Sequence, residues 1–239
     1  MHYKRTQNLI HQTSTVKKLS DSTVTSGLKE ALRIGVDYGV KELSKEGGYF
    51  NNKEVKIPLP QNLSKAETII RKVGGEKIAD DLVASMNKAA TQAAPKTATI
   101  FVDAVDKMTL NDAQKILSGN KDAATNYFKD RTTTSLQAMI KPIIQKSMQD
   151  NSVASYYDTF NTLYKSYAKD TLNNTAIMQT ASSFGADTYL PSSSDEKLDD
   201  YITQKAMDGL FKMIAKKEGE IRTDTTAQIT DLLKEVFGN

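Results

Sequence analysis

The 239-residue chain contains no cysteine and no tryptophan, and both of its histidines, His2 and His11, lie near its start. Without cysteine there are no disulfides and no thiol nucleophile. With no histidine beyond residue 11, the body of the chain lacks the preferred ligands of a structural zinc site and the base of a Ser-His-Asp triad. The missing tryptophan removes the usual sugar platform, and the acids show no paired pattern of the glycosidase kind. The chain holds no EF-hand loop, Walker A loop or G-x-G-x-x-G fingerprint. No apolar run approaches the ~18–20 residues that a membrane helix needs, and MHYKRTQNLIHQ at the start lacks the apolar centre of a secretory signal. A non-enzymatic protein with no transmembrane segment, no cofactor and no metal site is therefore the expectation.

Charge of either sign is also scarce as an excess. The net charge is +3, and Lys4, Arg5, Lys17 and Lys18 stand in a polar arm over residues 1–20 with no acid among the first eighteen. The rest of the chain is near neutral, which argues against nucleic acid as the partner of the folded part. The arm has no periodic apolar face and reads as flexible. At 38% hydrophobic residues, residues 21–239 are long enough to form a single helical domain with a real core.

What the sequence does have is helical spacing. Ile78, Leu82, Met86, Ala90 and Ala93 form one stripe, and Ala98, Phe101, Val102, Val105 and Met108 a second. Ala113, Ile116 and Leu117 form a short third, opened by Thr109 with Asp112 three residues on, as in a capping box, and closed by Gly119 at C′. The many alanines let these helices approach closely, so 78–128 reads as the centre of an all-α multi-helix bundle.

An earlier helix starts after Asp21 or Ser22 and runs to about Ser44, with a Gly35-x-x-x-Gly39 pair suited to close packing. Gly47 and Gly48 end it. The connection that follows carries Pro58 and Pro60, which hold Ile57 and Leu59 in extended conformation. Such a segment can lie across the bundle as a strap between the first two helices. A helix from about Ser64 stops at Gly74-Gly75, which supplies the left-handed C′ residue, and Pro95 breaks the pattern near Ala94.

Beyond Gly119 the pattern is helical, interrupted at Thr132–Thr134 and kinked or restarted at Pro142. A tyrosine-rich helix follows, with Val153, Tyr156, Tyr157, Phe160, Leu163, Tyr164 and Tyr167. Residues 169–194 read as a long loop. Two amphipathic helices, from about Asp195 to Glu218 and from about Asp224 to Phe237, close the chain; the second carries Ile229, Leu232, Leu233, Val236 and Phe237 inward.

Several stretches together resemble a bacterial family known as domain of unknown function 4197. They are SGLKEAL at 26–32, IPLP at 57–60, MNKAA at 86–90, FVDAVDKMTLNDAQKILSGNKDAATNYF at 101–128, LDDYITQKAMDGLFKMIAKKEGEIRTD at 198–224 and LLKEVFG near the end. The resemblance implies a helical domain with the C-terminal helices on the core, made with an export signal in bacteria with two membranes. It implies no activity. The chain departs from that pattern at its start, where the leader is absent, and at Thr225 in place of proline. A periplasmic location is the expectation from the resemblance, with a cytoplasmic one as the alternative.

Candidate residues fall into two sets. Tyr49, Phe50, Ile57 and Leu59 of the strap, with Tyr127, Tyr157 and Tyr164, would line a site for a lipid or other apolar small molecule. Asn87, Asp103, Asp112, Arg131, Glu218 and Arg222 would form a buried polar brace or a carboxylate-bearing pocket; Asp103 and Asp106 share a helix face, and Glu218 and Arg222 are an i,i+4 pair in the favoured order. Two functions from different classes follow. One is a binding module for an apolar or amphipathic ligand held under the strap. The other is a structural or interaction protein whose tyrosine-rich helix contacts a partner or a second copy. The arm is expected to be dispensable: its removal should shift the melting temperature by no more than a few degrees, about 1 kcal/mol, in a thermal scan.

Overall fold

The computed structural model describes residues 19–120, 123–172 and 195–238. The fold is all-α: helices and two 3₁₀ turns account for the regular structure, with no strand among the described residues. The helices are α1 (Asp21–Ser44), α2 (Gln61–Lys72), α3 (Glu76–Ala93), α4 (Ala98–Asp106), α5 (Leu110–Ser118), α6 (Ala123–Asp150), α7 (Val153–Leu172), α8 (Asp195–Thr223) and α9 (Asp231–Phe237). A 3₁₀ turn over Ala94–Thr97, with Pro95 at its start, separates α3 from α4 and realises the break expected near Ala94.

Helix α8 is the hub. It packs on α1, α6 and α3. Between Leu198 and Lys216 its exposed residues are Asp200, Gln204, Asp208, Lys212 and Lys216, one every fourth residue, while most of the remainder is buried. A row spaced by four is a natural ridge of the α-helix surface, so a single inclined polar ridge meets water and the other faces meet protein.

The partner face of α1 is built for close approach. A Cβ on Gly39 would lie 3.1 Å from Ile214 Cγ1 and 3.4 Å from Met213 Cβ, so a larger residue there would require these neighbours on α8 to give by a few tenths of an ångström. Helix α6 complements α8 in the opposite sense. Its buried residues Ala124, Phe128, Thr132, Leu136, Ile140, Ile144 and Met148 recur every four positions. Because four residues turn an α-helix about 40° past a full circle, this stripe winds around the helix axis and meets different partners along its length. Accordingly α4 and α5 pack on α6, as do α8, α3 and α7.

Phe101 of α4 lies at the meeting point, edge-on to Phe128 of α6 at 5.4 Å and to Phe211 of α8 at 5.8 Å between ring centroids. All three rings are buried, and edge-to-face geometry adds to their area burial.

Several local expectations are corrected. Gly119 does not adopt a left-handed conformation; it follows α5 with φ −80° and ψ 178°. The left-handed residue expected at Gly74-Gly75 is present, with Gly74 at φ 85° and Gly75 donating its N–H to the Ile70 carbonyl. Pro142 neither restarts nor ends α6, which runs through it. Pro142 and Ala138, whose carbonyl would have received the missing N–H, are both exposed, so water can take the place of the lost bond. The threonines at 132–134 do not interrupt the helix either. Thr132 donates its hydroxyl to the Phe128 carbonyl at 2.6 Å and Thr133 to Lys129 at 2.7 Å, which satisfies them within α6.

At the C-terminus, α8 continues to Thr223, and a 3₁₀ turn over Thr225–Ala227 precedes a short α9. Thr230 caps α9 by accepting from the Leu233 N–H. Ile229 therefore falls in the connection and is 69% exposed, not on an inner face. Ser20, placed in the arm above, caps α1 by accepting the Thr23 N–H at 3.1 Å. Of the expected loop at 169–194, the first four residues belong to α7; residues 173–194, like residues 1–18 of the arm, lie outside the described residues.

Replacing Phe101 or Phe128 by alanine is expected to cost about 3–5 kcal/mol each, through lost transfer energy and the cavity left behind. Denaturant midpoints measure it, and near-wild-type values would contradict the central position of these rings.

Candidate functional site

Between α1 and α2 the chain runs from residue 45 to 60 without α-helix. Its apolar side chains belong to the core: Tyr49, Ile57 and Leu59 are 0%, 1% and 5% exposed and join the main hydrophobic cluster. Backbone groups in this segment have no helical ladder, so side chains from α3 and α8 supply partners. Asn87 of α3, itself buried, accepts the Ile57 N–H at 2.8 Å and donates to the Ile57 carbonyl at 2.8 Å. Its amide also donates to the Val83 carbonyl one turn earlier. From α8, Tyr201 donates to the Pro58 carbonyl at 3.1 Å and Lys212 to the Glu54 carbonyl at 3.0 Å. Tyr49 returns a bond to α8, donating to the Ala206 carbonyl at 2.7 Å. Burial pushes its phenol far above the ordinary range.

Phe50 differs from its neighbours. It is half-buried, with the Lys56 ammonium 4.0 Å from the centre of its ring, and it lines an open cleft of about 820 Å³. One wall is the 44–51 segment. The other is a face of α3, formed by Ala84, Asn87, Lys88, Thr91 and Gln92, residues whose spacing places them on one side of a helix. A smaller hollow of about 290 Å³ shares Ala84 and Lys88 and is bounded by the α6–α7 turn, where Asn151 donates to Gln92 at 2.9 Å.

A second place gathers Asp103, Tyr127 and Arg131 around a hollow of about 300 Å³ between α4 and α6, with Lys107 and Ser135. Tyr127 donates to the Ala104 carbonyl at 2.9 Å. The Arg131 guanidinium lies 5.7 Å from the Tyr127 ring centre and 3.6 Å from Asp112. Asp112 closes the capping box of α5, accepting the Thr109 N–H and hydroxyl. Those two bonds, with Arg131 and Lys115 nearby, hold its carboxyl below the usual carboxylate range. Burial, with the Asp112 charge, lifts the Tyr127 phenol. Asp103 and Asp106 do not act together: Asp106 pairs with Arg33 of α1, and its carbonyl accepts from Lys29.

Glu218 and Arg222 pair at 2.8 Å, and Arg222 reaches the Ile116 carbonyl of α5 at 3.3 Å, tying α8 to α5. Tyr157 is buried in α7 and Tyr164 is half-buried against the core. The thirteen candidates thus fall in several places: Phe50 and Asn87 meet at the α3 cleft, Asp103, Tyr127 and Arg131 at the α4–α6 hollow, and the others are held in packing or caps.

Sequence reasoning passed over Lys88 and Glu46 in the cleft, and Asp199 in the core. Asp199 is 2% exposed; Gln145 donates to it at 2.6 Å and Lys141 lies 3.9 Å away. Its spacing from Ile202 and Ala206, three and seven residues, marks it as inward-facing. Among the described residues no group of His, Cys, Asp or Glu is arranged to hold a metal ion, and no helix is long and apolar enough to cross a membrane.

The chain belongs to the family described as Protein of unknown function (DUF4197), whose model matches residues 18–238. No match to it is found among curated proteins or among solved structures.

Asn87→Ala is expected to cost about 2–4 kcal/mol, because it strands the buried N–H and carbonyl of Ile57 together. In Asn87→Asp only the protonated acid can donate to the Ile57 carbonyl. Its pKa is raised by that bond and by burial, so the stability deficit relative to the parent should shrink as pH falls through the raised value. Urea titrations at several pH values check both.

Proposed function

We propose that this DUF4197 protein is a non-enzymatic binding module of the bacterial cell envelope, which takes up a small amphipathic molecule in the cleft between α3 and residues 44–51. The observation that carries this reading is the cleft itself. It is about 820 Å³, within the range of small-molecule sites. It sets the ring of Phe50 and the methyl of Ala84 beside the polar groups of Asn51, Lys88 and Gln92. The segment that forms its outer wall is anchored from within by Tyr49, a geometry that favours a preformed site.

The ligand does not lie beneath Ile57 and Leu59 in this reading, since those side chains are given to the core; it lies on the outer side of Phe50. The envelope location rests on the family resemblance, and the absence of catalysis on the lack of histidine and cysteine beyond residue 11. A second reading, contact with a protein partner or a second copy, is favoured by one observation. A hollow of about 640 Å³ runs along the outer side of α7, where Leu163 and Ile78 lie among Ser155, Thr159, Thr162 and Ser166.

Native mass spectrometry of protein from its own cells is the test. The expected spectrum shows a monomer with an added small-molecule mass that disappears in Ala84→Trp, a variant designed to fill the cleft while keeping the helical circular dichroism spectrum. A bare dimer would favour the second reading. Cell fractionation that leaves the protein with the cytosol would remove the envelope part.

A further inference from the structure

The charge on the walls of the α3 cleft narrows the class of its ligand. Glu46 stands on the 44–51 wall and Lys88 on the α3 wall, and among the described residues no other acid, lysine or arginine lines this cleft. Among the described residues neither takes part in an ion pair, with the other or with a neighbour. Around the cleft Lys45 pairs with Glu42 at 2.5 Å, Lys77 with Asp81 at 2.9 Å and Lys146 with Asp150 at 3.2 Å, while the Lys56 ammonium is set over the Phe50 ring at 4.0 Å. Asn87, the buried amide on the same wall, has its hydrogen bonds taken up by Ile57 and Val83. What the walls offer a ligand is therefore one carboxylate, one ammonium, the neutral polar groups of Ser44, Asn51, Thr91 and Gln92, and the apolar surface of Phe50 and Ala84.

An occupant that covers this cleft draws water away from both ions. A neutral apolar molecule would desolvate Glu46 and Lys88 and return nothing. A cation would answer Glu46 but leave Lys88 against a like charge, and an anion would do the reverse. A compact molecule carrying both signs answers both, with its apolar part against Phe50.

We propose, resting on the binding reading above, that the ligand of the α3 cleft is a zwitterion. It carries an ammonium for Glu46 and a carboxylate or phosphate for Lys88, on a body with apolar surface. A free apolar amino acid or short peptide has this chemistry, and so does the phosphoethanolamine head of a lipid.

The experiment is a titration of the ¹⁵N-labelled full chain, followed by amide shifts, with leucine, leucylleucine, leucinamide, N-acetylleucine, N-acetylleucinamide and vesicles of phosphatidylethanolamine. The expected result is saturable movement of the Gly47 and Lys88 amides by leucine, leucylleucine or the vesicles. Amidation or acetylation of leucine, which removes one charge, should weaken binding tenfold or more, about 1.4 kcal/mol. Glu46→Gln should abolish the preference for leucine over N-acetylleucine, and Lys88→Gln the preference for leucine over leucinamide. Binding by the vesicles alone, still lost in both charge variants, supports the zwitterion and names the lipid as its source. Equal binding of leucine and its singly charged relatives overturns the proposal, as does binding that survives both charge variants. If N-acetylleucinamide binds best and Ala84→Trp abolishes it, the zwitterion falls while the cleft stands as a site. If no probe moves the cleft amides and native protein carries no added mass, both readings fall.

Discussion

The contact between α1 and α8 is the constraint from which the rest of the fold follows. Gly39 admits Ile214 to the backbone of α1, and a Cβ on Gly35 would already be in van der Waals contact with the Ile214 carbonyl at 3.5 Å. With α8 held this close on one side, its other faces are covered by α6, α3 and the 45–60 connection. Gly209 serves the last of these, since a Cβ there would lie 2.7 Å from the Tyr49 ring. A helix enclosed in this way gives the burial that a near-neutral, alanine-rich chain needs, because small residues bring backbones together and increase the contact made per residue.

Much of this was legible in the sequence, and the reasons differ by element. The three stripes over 78–128, the capping box at Thr109 and Asp112, and the break at Pro95 rest on local chemistry, and each has its counterpart in the helices, except that Val102 of the second stripe is 39% exposed while Ala104 is buried in α4. Tertiary context decided the rest. Pro142 reads as a breaker, but a helix can carry proline where the orphaned carbonyl faces water. Thr132 reads as a weak helix former, yet the residue is buried and its hydroxyl is satisfied within the helix. The register of Ile229 was lost because Asp224 opens a separate turn by accepting from the Thr226 N–H and hydroxyl.

The candidate site was harder to read for a physical reason. Apolar residues of an extended segment look alike whether they line a cavity or fill a core. Tyr49, Ile57 and Leu59 fill one, and only the neighbouring Phe50 borders open space. Lys88 and Glu46 carry no periodic signal, because an exposed charge on a helix or turn is the commonest feature of any surface. Their shared cleft exists only once α3 and the end of α1 are brought side by side. Asn87 was legible as a polar residue among apolar ones, but its partner, the backbone of Ile57, carries no side-chain signal that a sequence could display.

The placement of the hub near the end of the chain has a consequence for how the protein comes into being. Tyr49 waits for Ala206, 157 residues further on, and the glycine face of α1 waits for Ile214. During vectorial synthesis, therefore, the first helices emerge without the surface that completes them. Closing so long a loop is slow, and the uncovered faces are exposed meanwhile to other chains. The glycine face of α1 and the 45–60 connection therefore lack their native cover until α8 is available.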